Sequence, residues 1–228
     1  ARDSGQYGIS LRYSAESLNT DFRAYSMSYH SRNPMIRVFN PNIAGGYGAT
    51  VTERLTDPNG IRFSLIYPED IRLYGLSFET KVDPTTRLFG ELAHGGLAGQ
   101  NLGTITPQMR NDLVVQQSFV DLTGTIAQAD VGIRYGRQTF ADGPNLMVVP
   151  RDNNTIFTVY NGTRAWARAK QVRVDLFDFH TTQLGVGGTG DDISDRGRRF
   201  SGISGGIVLP KTLFGGSKLY LDPFFWRL

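Results

Sequence analysis

The chain has 228 residues, 39% of them hydrophobic, no cysteine, and 24 Lys+Arg against 21 Asp+Glu for a formal net charge of +3. Missing cysteines exclude disulfides, thiolate catalysis and thiolate metal sites, and the near balance of charge argues against a nucleic-acid partner. No segment approaches the ~18 consecutive apolar residues of a membrane helix, whereas a strand barrel stays open because its lipid face uses only every second residue.

The start, ARDSGQYGIS, has neither a basic n-region nor an apolar h-region. Two readings follow: a signal has been removed, or the chain is a piece of something longer. The ending LYLDPFFWRL, with no tail beyond it, supports the second. Alternating segments predict strands at 5–14, 20–31, 61–67, 71–82 and 86–95, then at 114–124, 129–140, 157–168, 170–180, 198–208 and 216–226. Short turns are expected at 15–19, 83–85, 125–128 and around Lys170, and long polar loops at 32–60, 96–113, 141–156 and 181–197. Short turns on one rim and long loops on the other are the habit of outer-membrane barrels.

The strands share one pattern. In 71–82, Tyr74, Leu76, Phe78 and Val82 take one face and Glu79 and Lys81 the other. In 129–138, ADVGIRYGRQ, Val131, Ile133 and Tyr135 oppose Asp130 and Arg134. Val172, Val174 and Leu176 oppose Arg173 and Asp175, and Leu219 and Leu221 oppose Lys218 and Asp222. Alternation alone fits a soluble antiparallel sheet with one solvated face as well as a barrel with lipid outside and charge within. Arg137 falls in phase with Tyr135 rather than Arg134, so both arginines can line one lumen only if a bulge or the strand's end intervenes.

Other polar features select no chemistry. His30, His94 and His180 lie on separate predicted strands without metal-binding spacing, and no Gly-x-Ser-x-Gly elbow occurs. GVGGTGDDISDRGRR gathers Asp191, Asp192 and Asp195, a calcium candidate that matches neither the EF-hand nor the nonapeptide pattern; a solvated outer loop, its acids largely neutralised by Arg196, Arg198 and Arg199, is the favoured reading. The loop GPNLMVVPRDNNTIF carries the apolar run Leu146–Val149, read either as an inward constriction or as a packed rim or extra strand.

The segments QYGISLRY, FRAYSMSYHSRNP and YPEDIRLYGLSFET, within residues 1–96, resemble a family of proteobacterial outer-membrane proteins of formerly unknown function. That family is regarded as porin-like and associated with uptake of hydrophobic or aromatic compounds. Over 115–226, VDLTG followed by GIRYGRQTFADGPNLMVVPRDNNTIFTVYNGTRAWARAKQVRVDLFDF is similar to the alginate-export porin family. The shared positions are Gly136-Arg137-Gln138, Gly143, Leu146, Arg151, Asn154, Gly162-Thr163-Arg164 and Val174-Asp175-Leu176-Phe177. This resemblance implies an arginine-lined pore for an anionic uronate polysaccharide, with Arg137, Arg151 and Arg164 on the wall and Asp175 as a pairing partner. Two departures stand out: the family's barrels are much larger, and the ending Trp226-Arg227-Leu228 lacks a C-terminal aromatic.

The expectation is therefore one all-β domain over 1–228, an antiparallel transmembrane β-barrel of 10–12 strands, alone or within a larger barrel. It would be a channel in the bacterial outer membrane, facing lipid and lipopolysaccharide and passing an anionic polysaccharide or small organic solutes. The lumen set is Lys81, Glu79, Arg134, Arg137, Arg151, Arg164, Arg173, Asp175 and Asp222. No catalysis, cofactor or nucleic acid is expected, and oligomeric state and transport direction are not legible. The alternatives are a soluble β-barrel or sandwich binding domain, or an outer-membrane β-barrel enzyme, for which no convergent Ser/His/carboxylate set is found.

Overall fold

The computed structural model describes residues 5–30, 35–39, 62–67, 69–97, 109–141, 156–210 and 215–228, with positions 107 and 148. They form strands β1 (Tyr7–Ala15), β2 (Thr20–Tyr29), β3 (Met35–Phe39), β4 (Arg62–Ile66), β5 (Ile71–Lys81), β6 (Thr86–Leu97) and β7 (Asn111–Ile126). Then come β8 (Ala129–Gln138), β9 (Tyr160–Arg168), β10 (Val172–Gln183), β11 (Ile193–Leu209), β12 (Leu219–Leu221) and β13 (Phe224–Arg227). Every pairing among them is antiparallel. Eleven strands make one sheet in the order β1-β2-β5-β6-β7-β8-β9-β10-β11-β12, with β13 also on β11. Among the described residues no pairing joins β1 to β12 or β13, so the sheet is open rather than a closed barrel. No helix there is long and apolar enough to cross a membrane.

Turn chemistry explains the meander. Ile126 pairs with Ala129 across a two-residue turn in which Ala127 and Gln128 both have positive φ, 47° and 67°. Such a turn matches the twist of the strands it joins. Between β5 and β6, the Asp83 carboxylate accepts from the Thr85 and Thr86 amides at 2.7 and 2.9 Å and from the Thr85 hydroxyl at 2.7 Å. The side chain thereby substitutes for ladder bonds where the chain reverses.

Three expectations are corrected. The segment at 61–67 does not join the main sheet: β4 pairs with β3, and β2 passes directly to β5. The region 32–60, expected as a polar loop, contains β3. β3 and β4 match in length, pairing over five residues from Met35↔Ile66 to Phe39↔Arg62, whereas β2 pairs over ten residues with β5. The segment 216–226 is broken at Asp222 and Pro223, yet its register on β11 runs unshifted from Leu209↔Leu219 to Ser201↔Arg227. β12 and β13 are thus one stave, in which the Pro223 carbonyl accepts from the Gly205 amide at 2.8 Å.

The two faces of the sheet differ: the exposed one carries bulky apolar side chains, and the buried one mixes carboxylates with aromatic rings. One face exposes Tyr7 (69%), Leu11 (64%), Tyr135 (66%) and Phe225 (72%), with Leu76, Leu122, Ile133 and Leu176 between them. The other holds Asp121 and Asp175, 1% and 3% exposed. That polar face also carries an aromatic cluster of Phe140, Phe177, Phe179 and Phe200, flanked by Tyr160 and Trp226. Beside it, Ile156 packs on Ala93 and Val114.

Candidate functional site

Register places charge on the polar face in a row. With Ile126 opposite Ala129, Asp121 falls opposite Arg134, and on its other side opposite Arg87 of β6. Asp121 therefore accepts from two arginines: Arg134 Nε at 2.6 Å, and Arg87 Nε and Nη2 at 3.1 and 2.5 Å. Arg87 also reaches Glu79 at 3.3 Å. The Arg134 guanidinium lies 3.6 Å from the centroid of the Phe119 ring, adding a cation–π contact to the ion pair.

A second clamp repeats the arrangement three strands away, on β10. Asp175 accepts from Arg164 Nε at 2.9 Å and lies 3.2 Å from Arg173 Nε. Each buried carboxylate thus lies between two guanidinium groups; Glu79 offsets the surplus of the Asp121 clamp, and the Asp175 clamp keeps one surplus positive charge. Charge buried in such triads costs desolvation, which bidentate geometry and shared acceptors offset.

Lys81, Arg87, Arg134, Arg164 and Arg168 border a cavity of about 420 Å³ at the short-turn end of the sheet, against only Asp83 and Asp121. Trp166 lines the same cavity. Its indole lies over Gly132, where a Cβ would come within 2.3 Å of the ring, so glycine is what lets the ring lie there. The site combines converging cations, one aromatic surface and an open mouth. It can hold an organic anion by charge and by ring contact.

The expected lumen residues divide. Lys81, Arg134 and Arg164 meet in this cavity, and Glu79 joins it through Arg87. Arg173 and Asp222 border a neighbouring cavity, with Asp175 holding Arg173. Arg151 lies outside the described residues, as do Gly143, Leu146 and Asn154. Arg137 sits elsewhere: its guanidinium donates to Asn161 Oδ1, the Val115 carbonyl and the Asp192 carbonyl at 3.0, 3.1 and 2.8 Å. No bulge separates it from Arg134; the ladders run on to both neighbours, and Gly136 between them takes φ +134°.

Around the calcium candidate, Asp191 accepts from the Gly187 amide, Asp192 from Asn111 and the Gly185 amide, and Asp195 from the Gly197 amide and pairs with Arg198. Among the described residues no group of acids or histidines is placed to hold a metal ion. Burial pushes the Asp192 carboxyl above its ordinary range. The apolar-loop reading is only partly within view: Val148 packs against the aromatic cluster.

Sequence reasoning missed Arg87, Asp121, Trp166 and Arg168. Counting back from the two-residue turn at 127–128 pairs Asp121 with Arg134, a signal present in the sequence once that turn is read correctly.

Residues 1–96 match a family of proteins of unknown function, DUF1302. The matched part supplies Lys81, Asp83 and Arg87 to the cavity; Asp121, Arg134, Arg164, Trp166 and Arg168 lie beyond it. No curated protein and no solved structure matches the chain.

Proposed function

We propose that the chain forms wall of an outer-membrane channel that passes small organic anions along the arginine-bearing face. The observation that carries this reading is the run of bulky apolar side chains on the exposed face of the sheet, opposite a buried face that holds carboxylates as well as an aromatic cluster. Lipid would cover Tyr7, Leu11, Tyr135 and Phe225, and antiparallel strands would satisfy the backbone within the bilayer. On the other face, five cations against two carboxylates attract anions, while the Asp121 and Asp175 clamps moderate that attraction enough for release. The cavity volume suits a small carboxylate, or one sugar-acid unit of a polysaccharide at a time. Movement down a gradient needs no cofactor.

Planar-bilayer recording tests the proposal. The protein is expected to conduct with anion preference, and the double substitution Arg134→Glu with Arg164→Glu is expected to invert the sign of the reversal potential under a salt gradient. Unchanged anion preference in that variant would remove the two arginines from the permeation path. Dispersal as a monomer without detergent would refute the membrane reading itself.

A further inference from the structure

The arginine-bearing cavity has a neighbour on the same face of the sheet. Arg168 stands opposite Arg173 of β10, and Arg173 stands opposite Gly206 of β11, so all three share the polar side with Arg164 and Asp175. Gly206 leaves room there: a Cβ on it would come within 3.2 Å of Asp222 Oδ1 and 3.7 Å of Arg173 Nε. Around it, Arg168, Lys170, Arg173, Tyr220 and Asp222 border a cavity of about 480 Å³. Arg168 borders this cavity and the first one alike.

A shared carboxylate joins the two chambers as well. Asp175 lies 2.5 Å from Arg164, which borders the first, and 3.2 Å from Arg173, which borders the second. Both chambers have more cations than carboxylates on their walls, the second setting Arg168, Lys170 and Arg173 against Asp222. Arg168 makes no ion pair among the described residues, although Asp130 stands opposite it on β8, and Lys170 makes none either. A single carboxylate would occupy one chamber and leave the cations of the other to water. Two separate monoanions would repel each other and would each lose translational freedom. Carrying both charges on one molecule makes the second contact intramolecular, which raises affinity without any new contact.

We propose that the two cavities are subsites of one site, which takes an organic dianion with its charged groups about two strand spacings apart, on the order of 10 Å. One group lies among Arg134, Arg164 and Arg168, and the other beside Lys170 and Arg173. The inference rests on the reading that the first cavity holds an organic anion, and it narrows the substrate class of that cavity. A compact dianion fits less well, since it would place both charges in one chamber.

Titration calorimetry of the detergent-solubilised protein at low ionic strength tests it, with suberate, octanoate and succinate as probes. Suberate and octanoate have the same number of carbons and differ by one carboxylate, whereas succinate carries two charges too close together to span the subsites. Suberate is expected to bind one to one and at least about tenfold tighter than either of the others. Lys170→Glu, in an exposed turn, should lower suberate affinity about tenfold, and Lys170→Arg should keep it. Asp222→Asn removes the carboxylate of the second chamber and should raise suberate affinity about threefold, a gain that misfolding cannot produce. Suberate no tighter than octanoate, suberate affinity unchanged in Lys170→Glu, or a loss in Asp222→Asn would each overturn the proposal. If the protein conducts with anion preference and binds octanoate as tightly as suberate, the second subsite alone falls. If suberate binds as expected and the protein does not conduct, the channel reading falls and the dianion site stands.

Discussion

Arg134 and Arg164 stand directly opposite each other on β8 and β9, yet each is held by a different buried aspartate, Asp121 on one side and Asp175 on the other. Two like charges at directly paired positions would repel. Anchoring each to its own carboxylate makes the juxtaposition tolerable and leaves a cationic strip between the clamps.

Asp121→Asn tests that arrangement. It removes the shared acceptor of Arg87 and Arg134 and leaves two guanidinium groups on a largely buried floor. The expected cost is about 2–4 kcal/mol, toward the lower end because Arg87 is partly solvated. Denaturant midpoints in detergent would show it. The surviving fold should be more anion-preferring than the parent in reversal-potential measurements.

Arg137→Ala should separate stability from permeation. Its three hydrogen bonds tie β7, β9 and the 184–192 loop together, and its guanidinium is absent from the cavity. Loss of about 1–3 kcal/mol is expected, with anion preference unchanged. A shift in selectivity as large as that of Arg134→Ala would show that Arg137 lines the path after all.

Asp83 gives a pH prediction. Hydrogen bonds from Thr85, by hydroxyl and amide, lead the effects that lower its carboxyl to about 2. A depressed folded-state value means that its contribution to stability is complete above the unfolded value of about 3.9 and is lost as pH falls through about 2. The β5–β6 turn should therefore keep its caps at pH 4, and Asp83→Asn should raise anion preference at that pH. Titration of the Asp83 carboxyl carbon by NMR checks the midpoint directly.

For Asp192 the sign is opposite. Burial raises its folded-state value, so ionisation costs the native state, and its contribution declines as pH rises from the unfolded value of about 3.9 through the raised one. Asn111→Ala, which removes one donor to this carboxylate, should move the midpoint higher still. A downward move in the NMR titration would contradict this balance of burial against hydrogen bonding.

Much of the sheet was legible because period-two alternation and tight turns are local. The segment 129–140 appears as Ala129–Gln138, and 71–82 as Ile71–Lys81. What failed depended on which strand pairs with which. β4 has the alternation of a wall strand, yet its five residues find β3 within a stretch that reads as loop. At the site, alternation put Arg134 on the polar face and the family resemblance put Arg164 there, and the two stand opposite each other in one cavity, but side-chain reach did not follow from phase. Arg137 is drawn to Asp192, far away in sequence, and only the folded loop reveals that acceptor. Arg87 and Asp121 were hidden for a related reason, since neither belongs to a local pattern and both become visible through register.

Pro223 bears on how this chain behaves outside its proper setting. In an antiparallel ladder a residue's amide and carbonyl point to the same neighbour. The Pro223 carbonyl points to Gly205, so the bond that proline cannot make is lost from the interior ladder on β11. Tyr220, Asp222, Phe224 and Trp226, the alternate positions, aim intact amides and carbonyls away from β11. Proteins that keep a lateral strand solitary commonly use proline to blunt its outward side. Here the blunting is turned inward, and among the described residues no strand pairs with the outward side of this margin, which makes it a template for extended polypeptide. Handling during expression should reflect this: a holdase present from synthesis onward is expected to raise the soluble yield, and a proline moved to position 222 or 224 to reduce fibrillar aggregation.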